Sequence, residues 1–202
     1  MALANYTDLK AAIASWASRA DLTTPIVDMI ALCEAEFNRT LRLRQMEQRA
    51  TTPTVAGTAY LALPTGFLEL RNIQINTTPT ATLEQVAPEL IDSNYSSASG
   101  KPVVYCLLAN QIQIAPVPDG VYSLEIDYYE VVPPLASNAT NWLLASHPDA
   151  YLFGSLLRAG GYVQDPQMVM GWKQAYSEVL QQMRTEDRRA RWSGSTLRIR
   201  PA

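Results

Sequence analysis

Residues Thr24 to Pro53 read TPIVDMIALCEAEFNRTLRLRQMEQRATTP, and the fold turns on how this stretch changes character. Thr24-Pro25 is a helix-start pair, a capping residue followed by proline at the first helical position. Ile26, Ile30, Cys33, Phe37 and Leu41 follow at spacings of four, three, four and four, which is one face of a helix. The stripe predicts a helix running to about Arg44. Thr51-Thr52-Pro53 ends that pattern, and from there the composition turns to Thr, Val, Ile, Tyr, Pro and Gly.

Downstream, alternation marks strands at Tyr60–Leu63, Leu68–Ile75, Val103–Leu108, Ile112–Ile114 and Tyr122–Tyr129. They read as antiparallel. Ala109-Asn110 and Pro118-Asp119-Gly120 are the turns, and Pro88–Asn94 is a short helix. Upstream, Thr7 can cap a first helix with Leu9, Ile13 and Trp16 on its apolar face. Helical spacing returns after Ser146-His147-Pro148-Asp149, a capping signature, with Leu152, Leu156, Ala159 and Val163 in line. Asp165-Pro166 starts another helix carrying Val169, Trp172, Tyr176, Val179 and Met183. Gly160-Gly161 between them marks close helix packing or a helix end.

The predicted fold class is therefore α+β: a discontinuous four-helix bundle with an inserted antiparallel β domain and an extended C-terminal arm. The boundaries are 1–50 and 138–190 for the two helical parts, 51–137 for the insert and 191–202 for the arm. Four amphipathic helices bury their stripes best against one another.

With 202 residues, 48% apolar and 17% charged, the chain can bury a core without staples. Its net charge is −3, but the charge is uneven. From Arg184 onward six arginines face only Glu186 and Asp187, a surplus of four, which leaves the rest at −7. Leu197-Arg198-Ile199-Arg200 alternates apolar and basic, as a segment adding to a partner's sheet or groove does. Arg39, Arg42, Arg44 and Arg49 form a second basic cluster. Arg39 and Arg42 share a helix face, and arginine suits bidentate carboxylate pairing across a subunit contact. No apolar run is long enough to span a membrane, and no secretory leader is evident, so synthesis in a cytoplasm is expected.

Chemistry is harder to find. The sole histidine, His147, starts a helix, and no nucleophile elbow or phosphate-binding glycine loop is present. Cys33 and Cys106 read as buried reduced thiols, and two cysteines with one histidine do not make a structural zinc site. Glu125 and Asp127 share one face of a strand, which reads as a solvated edge. No catalytic residue, cofactor or metal is expected. A small hydrolase using distant carboxylates such as Glu69, Glu125 and Asp127 is the enzyme alternative.

Several segments together resemble one family. They are Glu34-Ala35-Glu36-Phe37-Asn38-Arg39-Thr40-Leu41-Arg42-Leu43-Arg44; Tyr60 through Arg71; Gly100-Lys101-Pro102; Ile112 through Gly120; Leu124 through Tyr129; and Asn141-Trp142-Leu143-Leu144 leading to Pro148 through Gly154, then Trp172 and Tyr176. In this order they resemble head-to-tail adaptor (connector, neck) proteins of tailed bacteriophages, most like the short-tailed type, over about Tyr6 to Met183. The resemblance implies a structural virion protein in the neck between head and tail. It implies a ring of twelve copies joining the portal to a tail nozzle or tail-tube protein, with genomic DNA passing through without sequence-specific binding. Another tail-completion or nozzle component is the alternative. The resemblance also implies a portal-binding arm, which here would use Arg188, Arg189, Arg191, Trp192, Leu197, Arg198, Ile199 and Arg200. Glu34, Arg39, Arg42 and Arg44 are the candidate subunit-contact residues.

Overall fold

The structure, a computed structural model, describes residues 3–19, 21–163 and 165–192, the last without its side chain. Among the described residues it is mixed α+β, with six α-helices, two short 3-10 turns and two four-stranded sheets. By its contacts the chain forms two compact units, residues up to 45 together with those from 132 on, and residues 46–131.

The helical unit contains α1 (Tyr6–Trp16), α2 (Pro25–Thr40), α4 (Trp142–Ser146), α5 (Pro148–Arg158) and α6 (Pro166–Trp192). Helix α5 is its centre and packs on α1, α2, α4 and α6. The predicted stripes of α2 and α6 are largely the buried faces, whereas Trp16, expected on the apolar face of α1, is 51% exposed at the end of that helix. Ile26, Ile30, Cys33, Phe37 and Leu41 are buried, as are Trp172, Tyr176, Val179 and Met183. Phe37 meets Tyr151 edge to face, with ring centroids 5.1 Å apart, in the middle of this core.

The helix starts differ from expectation. Asn5, not Thr7, caps α1 by accepting from the Asp8 N–H at 2.9 Å. Thr24 is already helical in φ and ψ and makes no side-chain cap bond; Pro25 alone sets the start. The Ser146 hydroxyl donates to the Trp142 carbonyl within α4, and the residue at the start of α5 is His147, which makes no side-chain cap bond. Asp165 does cap α6, accepting from the Gln167 and Met168 amides at 3.0 and 3.1 Å. Helix α2 ends at Thr40 because Leu41 turns extended, placing its side chain in the core.

The β unit comprises β1 (Glu47–Pro53), β2 (Tyr60–Ala62), β3 (Phe67–Ile75), β4 (Ala81–Thr82), β5 (Glu84–Gln85), α3 (Pro88–Tyr95), β6 (Val104–Leu108), β7 (Gln111–Ala115) and β8 (Ser123–Glu130). One sheet has the order β1-β8-β3-β4 and the other β2-β7-β6-β5. Ile73, Ile75, Leu124, Ile126 and Tyr128 from the first share one core with Leu61, Tyr105, Ile112 and Ile114 from the second. A second, smaller cluster under α3 holds Ile91, Val104, Cys106 and Ala115. The sequence predicted an antiparallel insert, but β5 pairs with β6 in parallel. A two-residue strand joined to its neighbour through α3 has room for that crossover. The strand region also begins at Glu47, ahead of the Thr51–Pro53 signal.

Candidate functional site: an arginine crown at one end of the helical unit

Two features of the helical unit carry its chemistry, a buried polar clamp and a basic end. The clamp is built on Glu34 and Asn38 of α2. Asn38 Oδ1 accepts from the Val132 amide at 2.8 Å. Glu34 Oε1 accepts from the Leu135 amide at 2.8 Å and from the Tyr151 hydroxyl at 3.2 Å. Asn141 completes it, donating to the Pro133 carbonyl and the Tyr151 hydroxyl at 2.7 Å each, while its Oδ1 caps α4 through the Leu144 amide. The segment 132–135 is thus held to α2 by side chains satisfying its backbone. Glu34 had been expected at a subunit contact. It is 7% exposed, and its carboxylate is spent inside the fold. Burial pushes its pKa up, against the lowering by the Leu135 and Tyr151 bonds.

The basic end is made where α2 finishes against α6. Arg184 of α6 donates to the Thr40 carbonyl at 3.4 Å, and Asp187 accepts from the Arg44 amide at 2.6 Å. The end of α2 therefore lies against α6 at Arg184–Asp187. Arg39, Arg42 and Arg44 come together with Arg184, Arg188, Arg189 and Arg191 on the last turns of α6. Arginine is favoured there because helix C-termini present unpaired carbonyls and partial negative charge. Arg42 uses that, donating to the Asn38 and Leu41 carbonyls at 2.9 and 2.6 Å. Arg191 pairs with Asp187 at 2.8 Å. Arg39, Arg44, Arg188 and Arg189 point into solvent, and their guanidinium groups make no ion pair among the described residues.

Beneath the crown lies a cavity of about 200 Å³. Leu43, Met183 and Ala190 supply its apolar surface, and Arg44, Gln45, His147, Glu186 and Asp187 its polar surface. The lone histidine belongs to this crown. Of the residues expected in a portal-binding arm, Arg188, Arg189, Arg191 and Trp192 are helical. Leu197, Arg198, Ile199 and Arg200 lie outside the described residues.

The carboxylates weighed for hydrolysis are elsewhere. Glu125 and Asp127 lie on β8 at the centre of its sheet, not at an edge, and both pair with Arg49 at 3.2 and 3.3 Å. Glu125 also accepts from Gln74 and Asn76 at 3.0 and 3.2 Å. Glu47 pairs with Arg71, which lies over the Tyr129 ring. Glu69 is exposed on β3. This is an ion-pair ladder across a sheet face, with its groups engaged by one another. Cys33 and Cys106 are free and buried, and burial pushes the Cys33 thiol up to about 12. Among the described residues no cluster of His, Cys, Asp and Glu could hold a metal ion, and no helix is long and apolar enough to cross a membrane.

Sequence reasoning named the crown's arginines as two separate groups and missed the clamp. Asn141 could have been found: an Asn directly before the apolar run Trp142-Leu143-Leu144 is a helix-start signal. The Glu34–Leu135 bond joins positions 101 residues apart and leaves no local trace.

Residues 4–200 match the family model described as SU10 adaptor protein. No curated protein matches the chain.

Proposed function

The chain belongs to the SU10 adaptor protein family, a structural family of phage head-tail adaptors, and from that premise we propose that it forms a ring in the virion neck. The ring joins the portal at the capsid vertex to the next tail component and extends the channel through which DNA passes. The carrying observation is that the family match spans residues 4–200, nearly the whole chain, so both units and the segment beyond α6 belong to one adaptor design. The helical unit suits a ring subunit read as a discontinuous four-helix bundle, in a virion of the short-tailed type. Arg39, Arg42 and Arg44 serve contacts within the neck. The segment after α6, with Leu197, Arg198, Ile199 and Arg200, serves as the arm that grips the portal.

Ordering such an arm costs about 1–2 kcal/mol per residue in backbone entropy. Charge-assisted hydrogen bonds at about 1.5–3 kcal/mol each, made only on the partner, offset that cost. The test mixes purified chain with its portal and images the product by negative stain. Full-length protein is expected to add a ring to the portal. A chain ending at Trp192 is expected to keep its thermal unfolding profile and lose portal binding by tenfold or more. Unchanged binding of the truncated chain would remove the arm from the proposal. Failure of the full-length protein to associate with portal at all would remove the adaptor role in the neck.

A further inference from the structure

We propose that neighbouring copies join through a contact in which the acidic helix α3 of one copy seats on the arginine crown of the next, with Leu90 entering the cavity beneath it. The proposal rests on the ring reading for the existence of a contact between copies, and it names the two surfaces that make it.

The crown side is a built receptor. Its cavity of about 200 Å³ has an apolar surface of Leu43, Met183 and Ala190 and takes up Arg44, His147, Glu186 and Asp187 around it. Arg39 and Arg44 stand exposed, with no carboxylate paired to either guanidinium among the described residues. A surface of this kind asks for an apolar side chain with carboxylates beside it. A nucleic-acid backbone offers nothing for the apolar floor, so an acidic protein surface that also carries an exposed apolar side chain fits better than DNA.

Helix α3 has that chemistry. It turns Ile91 inward against β6, where Ile91 packs with Val104 and Cys106. Glu89, Leu90 and Asp92 are exposed as a result; Glu89 and Asp92, three positions apart, share one strip of the helix, and Leu90, 49% exposed, lies to one side of that strip. Neither Glu89 nor Asp92 makes an ion pair among the described residues. Burial raises the pKa of the Cys106 thiol on β6, and the charges of Asp92 and Glu89 nearby raise it further. Exposed Glu84 on β5 adds a third acid just ahead of the helix. Pairing of Arg39 and Arg44 with the strip formed by Glu89 and Asp92, beside a buried Leu90, makes a compact hot spot. The two patches are different surfaces of one chain, so the contact is heterologous, and such contacts build rings when their rotation closes.

The experiment uses full-length protein under conditions where the wild type forms rings, alone or on its portal, read by sedimentation velocity and negative stain. The two reversed variants are Arg39→Glu with Arg44→Glu, and Glu89→Arg with Asp92→Arg. Each alone is expected to lose ring formation by at least tenfold in required concentration while keeping its far-UV circular dichroism melt. Mixed one to one, they are expected to form rings again, because an acidic crown then meets a basic α3 and a basic crown an acidic α3, alternately. One chain carrying all four changes is also expected to assemble.

Reversed variants that assemble like wild type would overturn the proposal while leaving the ring reading intact. Loss without rescue in either the mixture or the four-fold variant overturns it as well. Rings that persist in the Arg39/Arg44 variant together with lost binding to a random-sequence DNA duplex would assign the crown to nucleic acid instead. A wild type that forms no ring, with or without portal, sinks both this proposal and the ring reading beneath it.

Discussion

Gly154 sits where three helices come closest. A Cβ placed there would overlap the Cys33 thiol of α2 and lie 2.9 Å from Cε2 of Tyr176 on α6. Both neighbours are buried, so neither can swing aside into solvent. Gly154→Ala is expected to destabilise the protein by about 1–3 kcal/mol, the cost of overfilling a packed core. The check is a shift of the chemical-denaturation midpoint with unchanged slope. Adding Cys33→Ala, which removes the sulfur the new methyl strikes, is expected to return part of the loss. A single variant as stable as wild type would show that α5 can move away. The residue scale is also where the sequence was least legible. Cys33 could be read as a core thiol from its place on a stripe, yet Phe153-Gly154-Ser155 held no sign that its glycine was required. Close approach is set by the distance between helices, which no local pattern encodes. Glu34 misled for the same reason: a carboxylate on a helix reads as surface until the amide it captures is known.

Elements were far more legible, because periodicity is a local property. The stripes of α2 and α6, the strands β3, β7 and β8, and the helix at Pro88 follow from spacing and start signals alone. What failed were ends and short pieces. Strand β1 opens with Glu47-Gln48-Arg49, polar on both faces because it is an edge strand, so alternation could not announce it. Helix α4 is five residues long and depends on its cap more than on its period. Asn141 gives that cap and also holds the Pro133 carbonyl and the Tyr151 hydroxyl. Asn141→Ala is therefore expected to cost about 2–4 kcal/mol, combining a lost cap with stranded buried polar groups. Denaturant titration reads the total. Hydrogen exchange at the Leu144 and Leu135 amides reads the two parts, since only Leu144 loses its own acceptor. A loss below 0.5 kcal/mol, on the order of an ordinary surface change, would mean that water replaces Asn141 without penalty.

At the scale of the molecule, the uneven charge was visible in the sequence, but its convergence was not. Arg44 and Asp187 are 143 positions apart, and only the packing of the end of α2 against α6 joins the two basic clusters. The same packing buries ionisable groups that a neutral-pH view hides. Desolvation raises the pKa of Tyr151 and Tyr176 far above the ordinary phenol value of 10.0 and pushes that of Cys33 up to about 12 from 9.0, all in the helical unit. A group whose folded pKa is raised contributes fully below its unfolded value, and its contribution is lost as pH rises toward the folded one. The helical unit should thus hold its stability to about pH 9 and shed it steeply above pH 10, by about 1.4 kcal/mol per pH unit for each such group. Tyr176 isolates one share of that slope. Its hydroxyl lies near Arg158 but is buried without a hydrogen-bond partner among the described residues. Tyr176→Phe therefore gives up no bond, and it should leave stability at pH 7 equal or higher. Above pH 10 the variant should lose stability less steeply, by one proton's worth. Unfolding free energies from pH 8 to 12, followed at 222 nm with tyrosinate absorbance recorded in parallel, test both statements at once. Parallel curves for variant and wild type would mean that the Tyr176 hydroxyl ionises as readily in the folded chain as in the unfolded one, and that the core around Gly154 admits water.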